Sequence, residues 1–468
     1  MLGFLPQWAR FPIDLVARPA VGTSLLIIVV VELALGGNGY LVQLGPLRLR
    51  ELLFVLCMIW SAAALLSRPE ARPAAAIWGL LALFVAVTGF DVLLGFLNDN
   101  FKDGIAINYG AQLIVDPSPR SAVIGELKPL SYFAMLLFFV TAIRSRFQVT
   151  IVVTVLMLAG LLLATVYLFT LATVHLGLIP YATVYDHLEA SDEFIFRMAY
   201  PGAPFVGFFY KGMYYACVAG ILLMLDPFKT TKALALVVIL AVGLALTRSL
   251  TVAVGACIVL GIAWGPWRQR ALLTGQLLVL VVVAFAAFKT ESTQLQAQFD
   301  ALKNESTQLH APERKSEDKR SAPMFDLSRH TDDNRLFDVD FVKQRLNPVT
   351  LVIGHGLGAK IGRRTKIELT YLEVLYKQGL VGLTFWLSLL AYCAWLYSRV
   401  PAANKTLGRA LLLCSLFFFI STAANTVLTG SIGQGMVFIA IACLSVLAGE
   451  SAPFAWYGYA DGRPRSGE

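Results

Sequence analysis

Apolar positions along this chain come in long unbroken runs, without the alternating or three-to-four-residue spacing of elements that bury a single face. A run near 20 residues predicts a helix able to cross a bilayer. Twelve such runs occur, at about 20–37, 51–66, 75–96, 128–143, 149–175, 208–225, 233–247, 250–266, 271–288, 370–398, 410–428 and 431–449. The seventh and eighth come from one apolar stretch, Ala233 to Pro266, interrupted only by Thr247, Arg248 and Ser249. As a single helix it would extend about 51 Å, against a hydrocarbon core about 30 Å thick, so the pattern predicts a hairpin with Arg248 at its turn. The expected fold class is all-α, a polytopic membrane bundle of about twelve helices. Residues 1–288 supply the first nine helices, and residues 370–468 supply the last three and a short tail.

Between the ninth and tenth runs lies the main polar segment, residues 289–369. From Lys289 to Arg345 it holds ten basic and eleven acidic residues, so it is well solvated with little net charge. "ESTQL" at Glu291 to Leu295 recurs at Glu305 to Leu309, and Leu295, Phe299, Leu302 and Leu309 share a stripe. That stripe predicts an amphipathic helix rising from the membrane or lying along it. The following "HAPERKSEDKRSAP" reads as a mobile linker.

Composition changes the picture only by sharpening it. Hydrophobic residues make up 57% of the 468 and charged residues 15%, against roughly 25% charged in soluble domains. The first apolar run has no small-residue cleavage site and is followed by more spans, so it is read as a retained helix. The six cysteines lie in apolar runs without paired spacing, which points to packing and away from disulfides or zinc. With the amino terminus in the cytoplasm, every inner segment carries at least two basic residues, from Arg10 and Arg18 to Arg463 and Arg465. The positive-inside rule therefore places both termini in the cytoplasm and the long connections 97–127, 176–207 and 289–369 on the opposite side.

Charged groups collect on that outer side. Arg197, Arg248 and Arg345 stand in or beside outward connections, and Glu368 sits at the mouth of the tenth span. Guanidinium groups bind phosphate bidentately and stay charged at any pH, so several on one face suit a diphosphate. Gly354, Gly356 and Gly358 alternate, a spacing that permits unusual backbone angles and close approach of main-chain N–H groups to a ligand. His355 lies among them. Arg363, Arg364 and Lys366 are placed to contact lipid phosphates or an anionic glycan, or to anchor the helix at the headgroups. Glu373 is expected to pair with Lys366 or Lys377, and Gly379 and Gly382 to allow close packing. Glu32 and Asp91 fall inside apolar spans, where a charge is normally paired. "DVD" at Asp338 to Asp340 has a metal-binding spelling but sits in a solvated acidic tract, so no metal is expected.

"VIGHGLG" at Val352 to Gly358, followed by "ELTYLEVLYKQGLVGLTFWL" at Glu368 to Leu387, resembles the signature of the O-antigen ligase and O-antigen polymerase superfamily. These are integral-membrane glycosyltransferases of bacterial surface polysaccharide assembly. Arg345 ahead of Gly356 resembles an arginine–glycine arrangement of the polymerases, Arg197 stands in the other periplasmic loop, and "LTRSL" places Arg248 near a turn where relatives carry an arginine. The ligase branch has a histidine where this chain has Glu368, which favours a polymerase. The resemblance implies transfer between undecaprenyl-diphosphate-linked oligosaccharides at the periplasmic face of the inner membrane, without metal or cofactor. Arg345, Arg197 and Arg248 would hold the diphosphate and Glu368 would act as base. It also implies membrane lipid, a chain-length regulator and a flippase as partners, and no nucleic acid. The alternatives are a ligase that moves finished polymer to lipid A core, a lipid-linked oligosaccharide transporter, and a non-catalytic assembly subunit. The sequence shows neither inverted repeats nor matched broken helices that would favour a transporter.

Overall fold

Each of the twelve apolar runs contains a helix in the computed structural model of the chain. The structure describes residues 18–36, 43–44, 47–68, 72–102, 104–109, 112–116, 118–180, 183–184, 196–198, 207–209, 212–225, 233–244, 248–264, 270–271, 273–283, 327–362, 364–367, 369–423, 425 and 427–449. In chain order the helices are α1 (Pro19–Leu35), α2 (Leu49–Ser67), α3 (Ala75–Leu97), α4 (Pro119–Ser131), α5 (Met135–Ala142), α6 (Arg146–His175), α7 (Met213–Leu225), α8 (Ala233–Leu244), α9 (Arg248–Trp264), α10 (Leu273–Val283), α11 (Leu327–Arg345), α12 (Pro348–Ile353), α13 (Thr370–Arg399), α14 (Lys405–Thr422) and α15 (Ser431–Leu447). A short 3-10 turn, Tyr132–Ala134, joins α4 to α5. Among the described residues six segments are long and apolar enough to cross a membrane: Leu49–Ser67, Ala75–Leu97, Pro119–Ala142, Arg146–His175, Thr370–Arg399 and Ala402–Thr422. The other six apolar helices run 10–17 residues.

The connections are less uniformly helical than the bundle. Among the described residues three antiparallel two-stranded hairpins pair Gln43–Leu44 with Leu47–Arg48, Ile105–Tyr109 with Gln112–Asp116, and Phe196–Met198 with Gly207–Phe209. The stripe at 295–309 and the linker after it lie outside the described residues.

Aromatic packing fixes how α3, α4, α13 and α15 meet. Phe133, in the 3-10 turn, stacks on Phe84 of α3 at 4.0 Å and sets its ring edge-on to Phe438 of α15 at 4.9 Å, with Phe385 and Trp386 of α13 around it. Such pairs are worth about 0.5–1.5 kcal/mol each beyond the area they bury. All six cysteines are buried and free, the packing role their setting predicts. The charge inside α1 is also accounted for: Glu32 accepts from Arg50 Nε at 2.9 Å, and Arg50 Nη1 donates to Ser431 Oγ at 2.7 Å.

α13 is not one straight span. Gly379 interrupts it with φ 65° and ψ −165°, so Thr370 to Gln378 and Leu380 to Arg399 are separate helical pieces. The second piece alone, at 1.5 Å per residue, extends about 30 Å, the thickness of a hydrocarbon core. Its carboxy-terminal end carries aromatic and basic side chains in contact: Tyr392 stacks on Trp395, and the Arg399 guanidinium lies 3.8 Å over the Trp395 ring. The glycine loop meets α13 at the Gly379 break.

Candidate functional site

The glycine loop begins as a helix exit. In "NPVTLVIG", Asn347 Oδ1 accepts from the Val349 and Thr350 amides at 2.9 Å, Pro348 occupies the first turn, and Gly354 ends α12 with φ 76°. These are the paired start and stop signals of a short helix. They were present in the sequence, and no reading of periodicity alone would pick out a six-residue element.

The loop then wedges between α3 and the break in α13. His355 N donates to the Tyr376 carbonyl at 2.9 Å and Gly356 N to the Lys377 carbonyl at 2.8 Å. Helix termination at Gly379 frees such carbonyls, and the loop supplies their missing donors. On the other side Leu357 N donates to the Asp91 carbonyl at 3.0 Å, and the Asn98 and Asn100 side-chain amides donate to the His355 carbonyl at 3.0 and 2.8 Å. The alternating glycines follow from these approaches. A Cβ on Gly354 would sit 2.2 Å from the Lys377 carbonyl oxygen, and one on Gly356 would sit 2.4 Å from Gly95 N. The amides of Gly354 and Gly356 are thus spent on the Thr350 and Lys377 carbonyls, where the sequence suggested that they serve a ligand.

A buried ion cluster braces the same corner. Lys377 is 2% exposed, and its Nζ donates to Glu126 of α4 at 2.6 Å, to Glu373 one turn away at 2.8 Å and to the Thr365 carbonyl. Glu373 Oε2 also accepts from Ile367 N at 3.1 Å. The Glu373–Lys377 partnership is one of the two the sequence suggested; the link to Glu126 was missed, because nothing local ties residues so far apart. A small separate core of Val342, Ala359, Ile361, Ile367 and Tyr376 joins α11, the loop return and the first piece of α13.

Beneath the loop, Asp91 in α3 accepts a hydrogen bond from the Gln378 side chain, and Gln378 Oε1 accepts from Trp386 Nε1 at 3.1 Å. Gly382 leaves room for this, since a Cβ there would meet the folded-back Gln378 side chain at 2.2 Å. Among the described residues Asp91 Oδ2 has no hydrogen-bond partner.

The remaining sequence-derived residues fall as follows. Arg345, the last residue of α11, is exposed, with its guanidinium 5.0 Å over the Phe341 ring, and its carbonyl accepts a hydrogen bond from His355. Arg345, His355 and the glycine turn are therefore brought together. Arg364 pairs with Asp338, the first aspartate of "DVD", and Lys366 donates to the Gly125 carbonyl at 3.0 Å; both cations are engaged within the protein. Arg197 lies in a strand opposite Phe208, and Arg248 begins α9. Arg363 and Glu368 lie outside the described residues. The amides of Gly354, His355, Gly356 and Leu357 are occupied, and the exposed Arg345 is a cation held next to them through its contact with His355.

His355 Nε2 is buried without a partner among the described residues, and the ring lies 4.4 Å from that of Tyr376. Burial pushes the imidazole below its ordinary value of 6.5; the bond to the Arg345 carbonyl raises it in part, and the nearby guanidinium lowers it again. The unfolded chain takes up this proton near 6.5 and the folded chain only at lower pH. The neutral ring's contribution to stability is therefore full above 6.5 and lost as pH falls through the folded value. His355→Gln is expected to flatten that acid-side loss, measured as detergent-phase unfolding midpoints against pH.

Comparison with protein-family models gave no match, and comparison with curated proteins gave none.

Proposed function

We propose that this chain is an integral-membrane glycosyltransferase that polymerises undecaprenyl-diphosphate-linked repeat units at the outer face of the bacterial inner membrane. One observation carries the reading: the two halves of the signature, "VIGHGLG" and "ELTYLEVLYKQGLVGL", lock onto each other through the His355 and Gly356 amides, with the exposed Arg345 at the edge of the joint. A packed glycine turn beside an exposed guanidinium at the proposed membrane boundary suits a lipid diphosphate, whose charge grows as it leaves. In the proposed reaction an acceptor sugar hydroxyl attacks the anomeric carbon. The carbon–oxygen bond to the diphosphate breaks with its electron pair, Arg345 stabilises the departing anion with Arg197 and Arg248 in support, and Glu368 takes the hydroxyl proton.

Parity supports the twelve-crossing topology behind this. Groups in contact sit at one depth, so an even number of crossings separates them. Lys377 meets Glu126, Arg50 meets Ser431, and Tyr215 donates to the Ile432 carbonyl at 3.0 Å. The twelve-helix order places an even number of helices between the members of each pair. The positive-inside distribution of charge supports a reading with this polar end outside and both termini in the cytoplasm.

A lipid-linked oligosaccharide transporter is the second reading, and broken helices favour it. Gly379 breaks the tenth apolar segment, and Pro129 with a 3-10 turn lies within the fourth, the equivalent place if the chain is halved. Gene deletion separates the two on a gel of surface glycans. Loss of a polymerase leaves single-repeat products, and loss of a transporter leaves none. In a complemented strain, Arg345→Ala and Glu368→Gln are expected to abolish polymer while membrane insertion stays normal; wild-type chain lengths in both variants would sink the assignment.

A further inference from the structure

α12 has no buried residue, and its apolar side chains stand out from the protein: Val349 is 64% exposed, Leu351 37% and Val352 47%. A six-residue apolar helix left in water would be an unfavourable surface beside a bundle that buries so much. Its position gives the explanation. The Val352 carbonyl oxygen lies where a Cβ on Gly379 would approach it to 2.3 Å, so α12 is seated directly on the break in α13. Just past that break, Leu380 and Val381 are 42% and 44% exposed, on the piece of α13 whose length matches a hydrocarbon core. Exposed apolar side chains thus stand on both sides of the contact between α12 and the break in α13.

Charge points the same way. From Phe341 to Ile367 the chain carries Lys343, Arg345, Lys360, Arg363, Arg364 and Lys366 and no acidic residue. Lys343 and Arg345, at the end of α11 next to α12, are exposed. An apolar strip with a cationic border is the pattern of a segment lying in the membrane interface, with aliphatic groups among the acyl chains and cations at the phosphates.

We propose that α12 docks in the outer leaflet of the bilayer, with Val349, Leu351 and Val352 in lipid and Lys343 and Arg345 at the headgroup phosphates. The glycine turn is then held between protein on one side and lipid on the other, level with the phosphates. This inference rests on α13 crossing a bilayer and not on glycosyl transfer, so it survives failure of the enzymatic reading.

The test uses the full chain reconstituted in vesicles of phosphatidylethanolamine and phosphatidylglycerol. V349C, V352C, L380C and K102C are each labelled with an environment-sensitive fluorophore; the six native cysteines are buried, so the unsubstituted chain gives the background. Lys102 is exposed in the turn after α3 and reports the aqueous limit. At V349C and V352C the expected result is blue-shifted emission, most of it quenched by lipids with a nitroxide near the headgroup, as at L380C and unlike K102C. Water-like emission at both α12 positions overturns the proposal. So does blue-shifted emission that lipid nitroxides leave untouched, because protein then covers the strip. An unquenched L380C overturns it as well, by removing α13 from the bilayer.

Discussion

Lys377→Met is expected to destabilise the end of the bundle next to the glycine loop by about 3–5 kcal/mol, the usual cost of stripping one partner from a buried ion pair. Methionine matches the stem of lysine and removes only the ammonium. Glu126 and Glu373, with side chains 6% and 14% exposed, would then face each other without a cation, and the Thr365 carbonyl would lose its donor. Glu126→Gln should cost less, about 1.5–3 kcal/mol, because Lys377 keeps Glu373 and only one charge-assisted bond is weakened. The triple variant Lys377→Met/Glu126→Gln/Glu373→Gln separates lost charge balance from lost shape. It should recover most of the stability, since replacing every member of a buried ionic group is often neutral. Thermal unfolding of the purified chain in one detergent measures all three. A wild-type midpoint for Lys377→Met would show that water reaches the cluster and that the brace contributes nothing.

The legibility of this corner in the sequence was uneven, for physical reasons. A helix in each apolar run could be placed because run length alone marks such elements; among the described residues six of these segments are long enough to span a bilayer. Glu373 and Lys377 could be paired because four residues is one helical turn. The partner across the bundle could not: Glu126 is read from its own surroundings as one more polar residue in an outward connection. Gly379 was visible as a packing glycine, and close approach is indeed its use. Its neighbour, however, is the Val352 carbonyl near the end of the six-residue helix α12, and the backbone at Gly379 turns through a positive φ. The glycine triplet was read as a ring of donors because alternating glycines allow it. Only the tertiary contacts reveal that Tyr376, Lys377 and Asp91 accept from the His355, Gly356 and Leu357 amides. Glu368, on which the catalytic reading leans most, is judged by chemistry alone.

Gly379→Ala carries the second large effect, because two independent penalties fall on one methyl group. Its φ of 65° with ψ of −165° belongs to a region that only glycine occupies freely, at a cost of about 1–3 kcal/mol for other residues. The added Cβ would also lie 2.3 Å from the Val352 carbonyl oxygen and 2.5 Å from Gly354 N, and backbone atoms cannot rotate out of the way. Relief comes either by straightening α13, which would return the Tyr376 and Lys377 carbonyls to the helix, or by expelling the glycine turn. Both release His355 and Gly356 from their acceptors. Two controls divide the cost. Gly177→Ala, at φ 70° with nothing within 4 Å, should show the backbone penalty alone, about 1–2 kcal/mol. Gly79→Ala, inside α3 with nothing within 4 Å, should gain about 0.5–1 kcal/mol from helix propensity. Unfolding midpoints should therefore rank Gly79→Ala highest and Gly379→Ala lowest. Trypsin should cut Gly379→Ala faster than wild type after Arg345 or Lys360, which flank the turn, and surface polymer should vanish although the chain inserts. If Gly379→Ala matched Gly177→Ala in both stability and cleavage, the loop would not be gripped by the break in α13. Arg345 would then have no fixed place beside it from which to meet a diphosphate.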